Sequence, residues 1–173
     1  DQTIDVSVSD ARATALGSYK HVATGNDLGA TVSSSSLQAN AGTGDTLTIS
    51  GKSGSASVVT AAASSANDIA TQVNAQFGAT GVKAEAVSFM ELSSLNSTGT
   101  LTMTLGSSDG NATAQAISAV ITDTADLTSL RDAINAHAAS TGVSAELGSG
   151  SSAIILTQAE GHDITVTDYT NSA

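Results

Sequence analysis

The sequence predicts an α+β protein: antiparallel β-sheets with two short packed α-helices, built from a duplicated strand–strand–helix–strand unit. Three observations carry that prediction. First, TGVKAE at 80–85 returns as TGVSAE at 141–146, an offset of 61 residues that also lays Val73-Asn74-Ala75 on Ile134-Asn135-Ala136. Second, Val, Ile, Leu and Thr fall in blocks of period two, the pattern of half-buried strands. Third, two apolar stripes of helical spacing each precede one copy of the repeated phrase.

Taken in order, QTIDVSVSD alternates Ile4, Val6 and Val8 and reads as a strand, followed by the short turn ARATALG. Residues 24–45 are polar and rich in Gly and Ser, the composition of a linker. In the first copy, Leu47 and Ile49 share one face of a strand, Gly51-Lys52-Ser53-Gly54 is a turn, and 55–60 returns. Ser65 with Asp68 three residues later is a capping-box pattern, followed by Ile69, Val73 and Phe77 as one stripe. Gly78 is expected to stop this helix, and Gly81 to open a strand in which Val82, Ala84 and Ala86 alternate with Lys83 and Glu85. The second copy places Leu101, Met103 and Leu105 on one strand face, a turn at 107–111 and a returning strand at 112–121. Its helix starts near Asp126, puts Leu127, Leu130, Ile134 and His137 on one side, and leads into a strand at 143–147. Leu47 meets Leu101 at an offset of only 54, so the second copy carries about seven extra residues, best absorbed in its hairpin. The expected organisation is an N-terminal strand and linker at 1–44, a first repeat at 45–92, a second at 93–148 and a C-terminal β-hairpin at 149–173.

Composition narrows the function. The net charge is −11 and the five basic residues, Arg12, Lys20, Lys52, Lys83 and Arg131, are scattered, so nucleic acid and anionic membrane are not expected partners. No apolar run approaches the ~18 residues of a membrane span. There is no Cys, hence no disulfide or thiolate metal site, and no Pro. The first residue, Asp1, leads to the expectation of an excised or processed fragment.

No motif for chemistry stands out, and no catalytic, cofactor or metal site is expected. Gly51-Lys52-Ser53 resembles the end of a phosphate-binding loop, but position 46 is Thr where that motif needs Gly, and a strand follows instead of a helix. His21, His137 and His162 lie far apart in sequence. Glu160, His162 and Asp163 gather at a turn with oxygen and imidazole donors suited to a divalent ion, although turns favour such residues in any case. Asp123 and Asp126 suit a helix N-terminus without any ligand. Glu85 and Glu146 occupy equivalent positions, and alternation directs both outward, away from any shared catalytic cleft. Asn96-Ser97-Thr98 and Asn111-Ala112-Thr113 match the N-glycosylation pattern, and the run Ser33, Ser34, Ser35 and Ser36 suits O-linked sugars or a plain linker.

The order GDTLTISG, SASVVTAAASSANDIATQVNAQFGATGVKAEA resembles the IN motif of bacterial flagellins and hook-associated proteins, and 99–147 resembles a second, diverged copy. VSVSDARATALGSY and AIILTQAEGHDITVTD are similar to segments that flank such motifs. The long terminal helices of flagellins have no counterpart here, so the resemblance implies the outer, surface-exposed part of a filament subunit. It further implies a non-enzymatic extracellular protein without cofactor, whose partners are other copies of the subunit, with covalent glycans as a candidate decoration. The absence of Cys and Pro fits export followed by rapid refolding. A hook-associated or filament-cap domain and an extracellular adhesive or glycan-binding module are the alternative expectations. The scarcity of aromatics, two Phe and two Tyr, argues against the adhesive module.

Overall fold

The computed structural model describes residues 44–172. Its elements are β1 (Thr46–Gly51), β2 (Gly54–Val59), α1 (Ala66–Ala75), α2 (Phe77–Thr80), β3 (Ser88–Leu92), β4 (Gly99–Ser107), β5 (Gln115–Ile121), α3 (Thr128–Asn135), α4 (Ala138–Thr141), β6 (Ser144–Leu147), β7 (Ile154–Gln158) and β8 (Ile164–Asn171). All strand pairs are antiparallel and form three sheets, β1-β2, β3-β7-β6 and β5-β4-β8. The fold is α+β, as the hydrophobic periods require. The expected strand at 2–10 and the linker at 24–45, save its last two residues, lie outside the described residues.

Period-two alternation builds the main core. Leu101, Met103 and Leu105 of β4 and Ile117, Ala119 and Ile121 of β5 turn one sheet face inward. Against it pack Leu92, Ala145, Ile154 and Leu156 from the second sheet, with Leu127, Leu130 and Ile134 at helix α3. The β1-β2 pair stands apart from this core. Val58 is buried there with Ala70 and Val73 of α1, while Val59 keeps 72% of its surface exposed.

Each expected helix is interrupted. At Gln76 and His137 the backbone leaves the α region (φ −95° and −110°, ψ near zero), and a further short helical turn follows. The first helix therefore does not stop at Gly78, which lies inside α2; it ends at Gly81 in the left-handed conformation, φ 73°. Gly142 closes the second at φ 71°. Both glycines donate a backbone N–H back to the carbonyl four residues earlier, Phe77 at 2.7 Å and Ala138 at 2.9 Å, and this left-handed corner favours residues without Cβ. The interruption also removes Phe77 from the expected stripe, leaving it 54% exposed, while Ala70 takes the buried position beside Val73.

Two further expectations are corrected. Residues 81–87 keep the in–out alternation but form no ladder; after its helix the first copy returns to a sheet only at β3. The side chain of Asn74 occupies the place of a neighbouring strand there, as described below. The segments around Ile154 and Ile164 are not a hairpin. Strand β7 has β3 on one edge and β6 on the other, so both its hydrogen-bonding edges are taken, and β8 joins the open edge of β4. The connection at 159–163 thus crosses between sheets. The extra length of the second copy lies where expected: β1 and β2 are joined by 52–53 alone, β4 and β5 by 108–114.

Candidate functional site

The repeated phrase is a structural device built twice with the same contacts. The Asn74 side-chain amide donates to the carbonyl of Ala84 at 2.9 Å while its Oδ1 accepts from Ala84 N–H at 2.8 Å. Asn135 does the same to Ala145, at 2.9 and 2.8 Å. A primary amide is the side-chain group that offers a donor and an acceptor as a peptide does. Thr80 and Thr141 are fully buried. Their hydroxyls donate to the carbonyls of Gln76 and His137 and accept from the N–H of Val82 and Val143. The hairpin beside each cap also leans on it. Ser53 N–H donates to the Thr80 carbonyl at 3.2 Å, and the Ser107 hydroxyl donates to that of Thr141 at 2.9 Å.

The weighed residues fall into place around this frame. His137 is the counterpart of Gln76, and its carbonyl accepts from Ser140 N–H and from both N–H and Oγ1 of Thr141. Glu85 and Glu146 are exposed on separate segments; Lys83 reaches Glu85 at 3.6 Å in open solvent, a pair of little energetic weight. Ser65 and Asp68 form the full capping box, Asp68 N–H to Ser65 Oγ at 3.1 Å and Ser65 N–H to Asp68 Oδ2 at 2.9 Å. Asp126 accepts from Thr128 N–H at 3.0 Å. The Thr128 hydroxyl and then its N–H hold the Asp126 carboxyl below its ordinary pKa, with a smaller contribution from Arg131. Asp123 accepts from Ala125 N–H at 2.8 Å. Asn96 and Asn111 are exposed. Lys52 and Ser53 form the β1–β2 turn. Ser33, Ser34, Ser35, Ser36 and His21 lie outside the described residues.

The turn at 159–163 carries the densest set of polar groups. Gln158 is almost fully buried, and its Oε1 accepts from the N–H of Glu160 at 2.9 Å and of His162 at 2.8 Å. Gly161 has φ 80°, and a Cβ there would come within 2.3 Å of that of Ala86. Its carbonyl accepts from Asn67 N–H at the start of α1, and the Glu160 carbonyl accepts from the Asn67 side chain at 2.8 Å. Asp163 binds across to the other loop: its carbonyl accepts from Ser108 N–H and its N–H donates to Ser108 Oγ, both at 2.9 Å. The three side chains gathered here are Asp109, Glu160 and His162, so Asp109 stands where the sequence had suggested Asp163. No pattern within one segment could reveal Asp109, because it arrives from the β4–β5 loop.

Two open grooves flank these features. One, about 600 Å³, runs past Glu91, Ser94, Leu95, Thr124, Ser149 and Ile155, with Glu91 the one titratable side chain along it. A single carboxylate cannot supply an acid–base pair. The other, about 340 Å³, lies between α1 and 84–87, with Glu85 and Glu160 at its border. No helix among the described residues is long and apolar enough to cross a membrane.

Comparison with curated proteins found no match to the chain. Residues 46–99 match the flagellin hook IN motif.

Proposed function

From the premise that this is a flagellin-type structural protein, we propose that the chain forms the outer, surface-exposed domain of a flagellar filament subunit. The family implies self-assembly into filaments and an extracellular place in the flagellum. The observation that carries the reading is the motif match at 46–99. The second Asn clamp and the second Thr-Gly cap support extending the motif to a diverged copy over 99–147, inside the proposed second repeat at 93–148; the matched motif runs past the proposed end of the first repeat (45–92) to residue 99. The work of such a domain is presentation and packing. Its acidic surface keeps neighbouring filaments apart, and its small-residue core needs no cofactor. Ser33, Ser34, Ser35 and Ser36 are the proposed positions for O-linked sugars.

Immunogold labelling of native filaments with antibody raised against the chain tests the placement. Label along the whole filament is the expected result; label confined to the tip or to the hook junction would move the protein to the cap or hook-associated class. Intact mass of the subunit from native filaments tests the sugars. Mass in excess of the sequence, in sugar-sized steps that map to 33–36, supports them, and a bare mass removes them.

A further inference from the structure

We propose that Asp109, Glu160 and His162 form a binding site for one divalent ion of the Zn²⁺ class, which clips the β4–β5 loop to the turn at 159–163. The proposal goes beyond the structural role above and does not depend on it. One ligand atom from each of the three residues lies within 4.8 Å of the others. Around a single ion with bonds of about 2.0–2.2 Å, donor atoms sit within about 4 Å of one another. The Glu160 side chain, 70% exposed, has room to adjust toward a shared ion. His162 already reaches Glu160, Nε2 to Oε2 at 3.8 Å, from a side chain only 20% exposed.

The scaffold holds the backbone of the cluster in position beforehand. The register pairs Ser107 with Ile164, so both loops leave the same end of the β4–β8 pair. The Ser108–Asp163 bonds then hold the loops together, and Gln158 fixes the N–H groups of Glu160 and His162. Ordering that precedes binding does not have to be supplied by the ligand. The donor set selects the ion. An imidazole with two carboxylates suits Zn²⁺ and its first-row neighbours, whereas Ca²⁺ calls for six to eight oxygen ligands. Three protein ligands leave room for water in the remaining position. A bound ion would join the β4–β5 loop to the turn that also holds the start of α1 through Asn67, so it would fasten the first repeat to the main core.

Calorimetric titration of the chain with ZnCl₂ at neutral pH, paired with thermal melts, is the test. Binding of one ion per chain with a raised melting temperature is expected at about 1 mM or less. Glu160→Gln and His162→Gln should each weaken binding at least about tenfold, since even outer-shell changes at metal sites cost that much. His137→Gln, which changes no member of the cluster, should leave affinity unchanged. The exposure of Glu160 keeps its variant folded, and far-UV circular dichroism checks His162→Gln. No binding at 1 mM, equal affinity in both cluster variants, loss of affinity in His137→Gln, or binding of Ca²⁺ as tight as Zn²⁺ would each overturn the proposal.

Discussion

Asn135 illustrates how one side chain can stand in for a strand. Strand β6 pairs with β7 on one edge alone, and the Asn135 amide satisfies Ala145 on the other. Replacing it with Ala strands a partly buried N–H and C=O, so Asn135→Ala should cost about 1–3 kcal/mol in denaturant unfolding. Asn135→Asp should do no better, because a carboxylate keeps the acceptor and loses the donor. Asn74→Ala should cost less, since Ala84 is more open to water. Asp126 gives a pH-dependent counterpart. Its carboxyl is held below the 3.8 of an unperturbed Asp, so its stabilising effect is complete above that value and is lost as pH falls through the lower folded-state pKa. An NMR pH titration should find it titrating below the ordinary range, and Asp126→Asn should flatten the acid limb of the stability profile. The sequence displayed both Asn residues in equivalent places, yet gave no sign of their role: the clamp is a contact ten residues away, invisible to periodicity.

Among the elements, the interrupted helices hold the sharpest test. Gly78 would be hard to replace if it were a left-handed stop. It lies instead inside α2, where an added Cβ meets nothing within 4 Å. Gly78→Ala should therefore raise stability, by up to about 1 kcal/mol, whereas Gly142→Ala should lower it by a similar amount. Paired thermal melts check both. Strands β1, β2, β4 and β5, the capping box and the α3 stripe were legible because each is encoded by neighbours in sequence. The pairing of β8 with β4 was not legible. Two apolar runs around a Gly-containing turn look alike whether they pair with each other or part to separate sheets, and the occupied edges of β7 decide. For the same reason the sequence offered Asp163 for the ion cluster, while the fold supplies Asp109.

For the whole molecule, burial is uneven. The fully buried large side chains, Leu101, Leu105, Leu130, Ile134 and Leu156 among them, belong to the β4–β8 region apart from Leu92 of β3, while the chain from β1 to α2 contributes Val58, Ala70 and Val73. Leu130→Ala should cost about 2–5 kcal/mol, and Val73→Ala less, since Val gives up fewer buried methyl groups. Hydrogen exchange should then find two tiers, with amides of β1, β2 and α1 opening before those of β4 and β5. Equal protection of both groups would contradict a core centred on the β4–β5 face.

The contrast between the two hairpins has a consequence for how such a chain can change. In the second repeat the device that specifies the fold, Asn135 with Thr141 and Gly142, meets the β4–β5 connection at its ends, through Ser107 and through the Thr113 N–H that donates to the Ser140 carbonyl, and not at its middle. Gly110 and Asn111 are exposed there and Ala112 is half-buried, and Gly110 has open space around it. Randomising 110–112 should return mostly folded proteins, while randomising Asn135, Thr141 and Gly142 should return few. The β4–β5 connection therefore offers a place where new surface can be written while the joint at Asn135, Thr141 and Gly142 stays as it is.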